Sequence, residues 1–237
     1  MKVSYDLHIH SCLSPCAEDD MTPATIAGMG KLLGLDVMAL TDHNTTKNCP
    51  AFFKACEHYG ILPIAGMELT TAEEIHMLCL FPNLEAAQSF DAFLDSKRFP
   101  MKNKPDIFGR QCVVDEHDCI IEEFPYMLSF ATSLTVDEAI DEIRKRKAFI
   151  CPAHIDREAN GMITILGTVP ASYNFSCVEF RSKEKEAELR SLHKITASHS
   201  LYDSDAHELL SLSDSLNYLE IESDVLTAES VLRSIGV

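Results

Sequence analysis

No apolar stretch in this 237-residue sequence is long enough to span a bilayer, so a membrane protein is not expected. Low-complexity tracts and repeats of solenoid period are absent as well. Met1-Lys2-Val3-Ser4-Tyr5-Asp6 runs straight into a polar strand with no apolar leader region, which argues against secretion. Cys-x-x-Cys pairs are missing too. The nine cysteines are odd in number, and Cys79, Cys151 and Cys177 lie in apolar strand-like runs, so most read as reduced core thiols of a cytoplasmic protein. Basic charge is scarce. Twenty Lys and Arg against 37 Asp and Glu leave a net charge of -17, which argues against an extended nucleic-acid-binding surface but not against a local basic pocket. With only 9 Gly and 10 Pro and 46% hydrophobic residues, the chain reads as globular, with one domain over 1–237 and no indication of its oligomeric state. Bound divalent cations would cancel part of the acidic excess.

The first strand carries chemistry. Asp6, His8 and His10 at i, i+2 and i+4 share one face. Three ionisable groups there are costly to bury unless a cation receives them, and imidazole is the commonest protein metal ligand. The plain alternative is an edge strand with its polar face in water, and residues downstream weigh against it. A helix opens at Thr22-Pro23 and runs to about residue 34, with Thr22 as N-cap. An apolar strand over 36–40 ends in Thr41-Asp42-His43-Asn44. Asp42 and Asn44 suit ordinary turn chemistry equally well, whereas His43 reads as a ligand. After a helix at 50–59, a strand at 61–66 delivers Met67-Glu68 at its end, and a strand at 75–81 begins with His76. The repeated phrase is an apolar strand with an acid or histidine at its end, usually followed by a helix, which points to a β/α barrel or open α/β sheet.

Residues 83–134 read as an insertion that covers the site. It holds a helix at 84–95, a basic loop at 97–106 and a hairpin pairing 111–114 with 119–121 across Asp115-Glu116-His117-Asp118. Thr135 with Glu138 three residues on forms a capping box for a helix at 135–147. The phrase then returns: strand 148–153 ends in His154, with Asp156-Arg157 directly after, and strand 177–181 ends in Arg181. A helix at 183–192 leads to Asp203-Ser204-Asp205-Ala206-His207, where Asp205 and His207 share a face. A strand at 218–221 and a helix from Thr227 close the chain. His58, His117 and His193 read as surface residues, and His199 is undecided.

His8, His10, His43, Glu68, His76, His154, Asp205 and His207 form a set of oxygen and nitrogen ligands at strand ends. Such a set suits Mn, Fe or Zn, and it is too large for one tetrahedral ion, so two or three metals are expected with Glu68 as a bridge. Ions of this kind generate a hydroxide nucleophile from water and receive anionic oxygens. Arg157 and Arg181 are the best-placed cations for an anionic group on a substrate, with a surface salt bridge an equal alternative for each. Asp6 and Asp42 are expected to fix imidazole tautomers.

These motifs, Asp6-x-His8-x-His10, Thr41-Asp42-His43-Asn44, Gly66-Met67-Glu68, His76, Ala153-His154 and Ser204-Asp205-Ala206-His207, occur in an order that resembles the PHP superfamily, the polymerase and histidinol phosphatase domains. The resemblance spans nearly the whole chain. It implies a distorted (β/α)7 barrel with a metal cluster at the strand C-termini and hydrolysis of a small phosphoester, such as a phosphorylated metabolite or nucleotide. It also implies a ninth ligand soon after the His-x-His pair. There the chain departs from the family's Ser-Asp-Gly and has Ser14-Pro15-Cys16-Ala17-Glu18-Asp19-Asp20, leaving Cys16, Glu18, Asp19 and Asp20 as candidates, of which Asp19 is chosen. Ile155 stands where relatives often have Pro. An amidohydrolase-like C–N hydrolase and a non-catalytic metal-binding regulatory domain are the alternatives.

Overall fold

A computed structural model describes residues 1–212 and 217–236. Its elements in chain order are β1 (Lys2–Asp6), α1 (Pro23–Leu33), β2 (Val37–Leu40), α2 (Cys49–Tyr59), β3 (Leu62–Thr70), β4 (His76–Phe81), α3 (Leu84–Leu94), α4 (Pro105–Phe108), β5 (Cys112–Val114), β6 (Ile120–Glu123), α5 (Val136–Lys145), β7 (Phe149–Pro152), α6 (Met162–Leu166), β8 (Cys177–Glu179), α7 (Glu186–His193), β9 (His199–Leu201), β10 (Asn217–Glu220) and α8 (Ala228–Ser234).

The local chemistry behaves as the sequence suggests. The Thr22 hydroxyl accepts from Thr25 N, Pro23 opens α1, and Gly34 ends it with φ 78, a conformation that costs glycine little. Thr135 and Glu138 form the reciprocal capping box of α5. All nine cysteines are free thiols, and among the described residues no helix is long and apolar enough to cross a membrane.

Six strands form one curled sheet in the order β10-β1-β2-β3-β4-β7. β1, β2 and β3 run parallel, as an α/β crossover chain requires. β4 reverses against β3, pairing His76 with Thr70, and β7 reverses again against β4. The first reversal brings the beginning of β4, hence His76, to the rim where the parallel strands end. It also lengthens β3. The strand expected to stop at 66 runs on to Thr70 because β4 pairs with it, and Glu68 therefore sits inside the strand.

The curl continues through β8 and β9, a separate parallel pair. Ile155 N donates to Glu179 O (2.9 Å), joining the exit of β7 to β8. A proline at 155 could not make that bond. Beyond β9 the chain returns to the segment after β1, where His10 N donates to Ala206 O (3.0 Å) and Ile9 bridges Ala206 in parallel. At its other end β1 is occupied by antiparallel β10, with Val3 opposite Leu219. The result is a distorted (β/α) barrel. One apolar cluster under the helices includes Phe52, Phe81, Phe90 and Ile140, and a second includes Val37, Leu78, Phe149 and Leu232.

The β5–β6 hairpin is pinned beside the rim rather than free. Asn48 stands before α2 but does not cap it. Its amide donates to Ser11 Oγ (3.0 Å) and Cys112 O (3.1 Å), and its oxygen accepts Val114 N (3.0 Å). At the hairpin turn Asp118 accepts from the Thr22 hydroxyl (2.6 Å), tying the turn to the start of α1. Short elements without amphipathic pattern, namely α4, α6 and β9, are the ones the sequence reading did not anticipate.

Candidate metal centre

His8 and His10 lie just beyond β1, His43 just beyond β2, Glu68 in β3, His76 at the start of β4 and His154 just beyond β7, so all reach one rim. Asp205 and His207 come from the turn after β9. Glu68 is the hub. Its Oε1 lies 2.7 Å from His76 Nδ1, 2.8 Å from His154 Nε2 and 3.5 Å from His8 Nε2. Its Oε2 lies 3.0 Å from His43 Nδ1 and 3.3 Å from His10 Nε2. Asp205 Oδ1 is a second focus, 3.3 Å from His10 Nε2 and 3.6 Å from His8 Nε2. All eight sequence-predicted groups of the oxygen and nitrogen set are thus brought together.

The frame behind the imidazoles aims their nitrogens. Ser14 Oγ donates its one proton to Asp42 Oδ1 (2.7 Å) and accepts His43 N (3.1 Å), so at its 3.0 Å contact with His10 Nδ1 it is the ring that donates. The Nε2 lone pair of His10 is left facing the cluster. Asp42 therefore fixes that tautomer through Ser14 rather than directly. Asp6 corrects the expectation more fully. Its carboxylate accepts the backbone N–H groups of His8 (3.4 Å) and Ser204 (3.2 Å) and meets no imidazole nitrogen.

The carboxylate that does hold His8 is Glu179, 2.9 and 3.1 Å from His8 Nδ1, and it also accepts His154 N (2.8 Å). Sequence reasoning missed it. The available signal was an acid inside the apolar run Cys177-Val178-Glu179-Phe180, where an unpaired charge would be costly.

Burial raises the Glu68 carboxyl, but the imidazoles of His76, His8 and His43 outweigh it and hold the group well below its usual range. Burial pulls His76 itself down to about 4. His8 and His43 rise against burial, His8 facing Glu179, Glu68 and Asp205, and His43, facing Glu68, to about 10. Behind His8, burial and the nearby Glu179 and Asp6 carboxylates push Asp203 well up.

A divalent-metal site fits these residues. Despite these close contacts, His43 Nδ1, His76 Nδ1, His154 Nδ1, Glu68 Oε2 and Asp205 Oδ1 are buried polar atoms that make no well-directed hydrogen bond, which is costly unless a cation meets them. Three overlapping groups each bring ligand atoms within 4.8 Å of one another: His10, His43 and His207; His8, His10, Glu68 and Asp205; and His43, Glu68 and His76. Glu68 belongs to two of them. His154 and Asp205 have φ of 27 and 51. Such left-handed backbone costs about 1–3 kcal/mol per residue away from glycine and is found where a site over-determines it.

Asp19 is not brought in. Its side chain is 68% exposed and points toward Arg110, with Nη1 3.9 Å away. The loop turns between Ser14 and Met21, so Cys16 and Glu18 face the cluster instead. They line an open pocket of about 650 Å³ together with His43, His76, Asp205 and His207. Arg157 and Arg181 line it too, with Ser129 and Asn160. Arg157 is also ion-paired to Asp205 Oδ2 at 3.2 Å, while Arg181 makes no ion pair among the described residues. His58, His117 and His199 lie elsewhere on the surface, and His193 Nδ1 meets Gly167 O (3.0 Å) at the end of α7.

No curated protein matches the chain's sequence. The lesion-specific endonuclease Q of Pyrococcus furiosus shares its fold with TM-score 0.71 and 20% identity, over 99% of this chain and 56% of that one. The chain therefore spans about half the length of that neighbour. An endonuclease Q complex with a 27-mer duplex carrying an abasic lesion at the active site gives TM-score 0.66 and 20% identity, over 99% and 56% of the two chains. A proposed metal-dependent phosphoesterase from Bifidobacterium adolescentis gives TM-score 0.61 and 18% identity, over 98% and 96%. The model of the PHP domain matches residues 6–147, which hold five of the converging side chains, His8, His10, His43, Glu68 and His76. With that match over more than half of its length, the chain belongs to the PHP domain family.

Proposed function

We propose that the protein hydrolyses phosphoester bonds at a cluster of two or three divalent ions, Mn, Fe or Zn, held by His8, His10, His43, Glu68, His76, His154, Asp205 and His207. The observation that carries this reading is the pocket that Arg157 and Arg181 line together with His43, His76, Asp205 and His207. Bound ions would supply Lewis acidity and a water of lowered pKa there.

The chain's own groups do the rest. Arg157 and Arg181 bind the phosphate oxygens in a planar, two-pronged manner and offset the charge that develops as the leaving group departs. The Asp42–Ser14–His10 and Glu179–His8 chains hold ring nitrogens toward the ions with their protons turned away. Ser129 and Asn160 line the wall and offer neutral hydrogen bonds to the rest of the substrate.

The acidic residues Glu18 and Glu208 at the same pocket, and the net charge of -17, favour a small phosphorylated metabolite or nucleotide over a long polyanion. The likeness to the endonuclease keeps a nucleic-acid end as a second substrate class. A panel of phosphomonoesters, nucleotides, phosphodiesters and an abasic-site duplex, assayed with Mn, Fe and Zn beside amide and lactone substrates, tests the reading. Metal-dependent turnover confined to phosphoesters is expected. Turnover of amides alone would replace it with C–N hydrolysis.

A further inference from the structure

Once Arg157, Arg181 and the metal ligands are set aside, the wall of the pocket is left for the non-phosphate part of the substrate. Among the described residues no Phe, Tyr or aliphatic side chain lines it, so a nucleobase would find no ring to stack on beyond the ligand imidazoles. The exposed rings of Phe99 and Tyr126 line, with Phe124, a separate cavity of about 720 Å³. The polar groups of the wall are mostly hydrogen-bond acceptors. Asn160 Nδ2 donates to Glu74 O (2.8 Å) and Asn160 O accepts His76 N (3.0 Å), which pins the residue and leaves its amide oxygen unspent among the described residues. Glu18, whose N donates to His207 O (2.9 Å), and Glu208 add carboxylates. Ser129 lies between two carbonyls, Leu128 O and Phe130 O, that both accept from Asn44 Nδ2 (2.7 and 2.9 Å). The backbone that carries its hydroxyl to the pocket is therefore fixed. Such a wall suits a group that donates several hydrogen bonds and presents no flat face. A second anionic group would meet Glu18 and Glu208, and an ammonium would gain little from them, because both are exposed and screened by water.

We propose that the substrate is a phosphomonoester of a polyhydroxylated aliphatic alcohol, a sugar or polyol phosphate, whose hydroxyls bond to Asn160, Ser129, Glu18 and Glu208. Hydrolysis breaks the P–O bond to the alcohol oxygen, which takes a proton from the attacking water, and gives the free polyol and inorganic phosphate. The proposal rests on the phosphoester reading above and narrows it, setting nucleotides aside as preferred substrates.

The test uses the whole chain reconstituted with Mn and measures kcat/KM on glycerol 3-phosphate, erythritol 4-phosphate and sorbitol 6-phosphate, each beside the alkyl phosphate of the same carbon number. 6-Aminohexyl phosphate and thymidine 5′-monophosphate complete the series. The best polyol ester should exceed its alkyl match and the nucleotide by at least about 10-fold, because a site built to bond hydroxyls rejects analogues that lack them. In Ser129→Ala and in Glu18→Gln the polyol-to-alkyl ratio should fall by about 3- to 10-fold. That ratio is taken within one variant, so it does not depend on how much of the variant folds. A ratio near one in the wild type, or one that both variants retain, overturns hydroxyl recognition and leaves phosphoester hydrolysis standing. Preference for thymidine 5′-monophosphate or for 6-aminohexyl phosphate also overturns it, in favour of a ring or an ammonium. Hydrolysis of no phosphomonoester removes the polyol ester, and the diester and amide arms of the broader panel decide whether phosphoester hydrolysis falls with it.

Discussion

Between residues 1 and 81 the cluster is built on strands or directly at their ends, and His8, His10, His43, Glu68 and His76 are all buried. Between residues 153 and 212 it comes from His154 just beyond β7 and from the turn after β9 that carries Asp205 and His207. His154 and Asp205 take φ of 27 and 51, and the side chains of Asp205 and His207 are 18% and 26% exposed. The first region has a hydrogen-bonded sheet to fix its ligands. The second holds them at some cost in backbone strain and opens onto the pocket that contains Arg157 and Arg181. On the proposed function, ion retention falls to the strand side and substrate contact to the turn side.

Glu68 tests the strand side, and the largest effect belongs to it. Glu68→Gln should abolish hydrolysis and strip ions from the cluster while far-UV circular dichroism stays nearly unchanged, because the carboxylate serves the ions and not the sheet hydrogen bonds. Full activity would remove the bridge and with it the distinction between the two regions.

Next come the arginines of the turn side. Arg181→Ala should lower kcat/KM by about 10- to 1000-fold, on the order of 1.4–4 kcal/mol, with ion content unchanged. Lysine should rescue in part only, since an ammonium does not reproduce a planar fork. Arg157→Ala should show a similar kinetic loss, but its ion pair with Asp205 makes Arg181 the cleaner probe. Unchanged kinetics in both would leave the turn side without a substrate role.

Glu179 crosses the division, standing on β8 yet holding His8 of the first region. Glu179→Gln should weaken ion binding by about 10- to 100-fold, read by competition with a chelator, with little change in fold. An unaltered affinity would show that the two regions hold their ions independently.

The same contrast explains what the sequence disclosed. Ligands on strands have a period of two and announce themselves, as in Asp6-x-His8-x-His10, so the strand side and its chemistry were legible before any coordinates. His76 was legible as a candidate, but the reason it reaches the rim, the reversal of β4 against β3, was not. Loops have no period. Choosing Asp19 over Cys16 or Glu18 depended on which way the chain turned after Ser14, and a backbone bond from Glu18 to His207, distant in sequence, decides that. Glu179 was hidden for a similar reason. Its partners His8 and His154 lie 171 and 25 residues away, and only the fold brings them together.

The most direct measurement is elemental analysis of the purified protein after reconstitution with Mn, Fe or Zn. Two or three ions per chain are expected, since seven residues in three overlapping groups, with His154 beside Glu68, exceed one coordination sphere. One ion or fewer would contradict a multinuclear centre, and with it the division of labour between strands and turns.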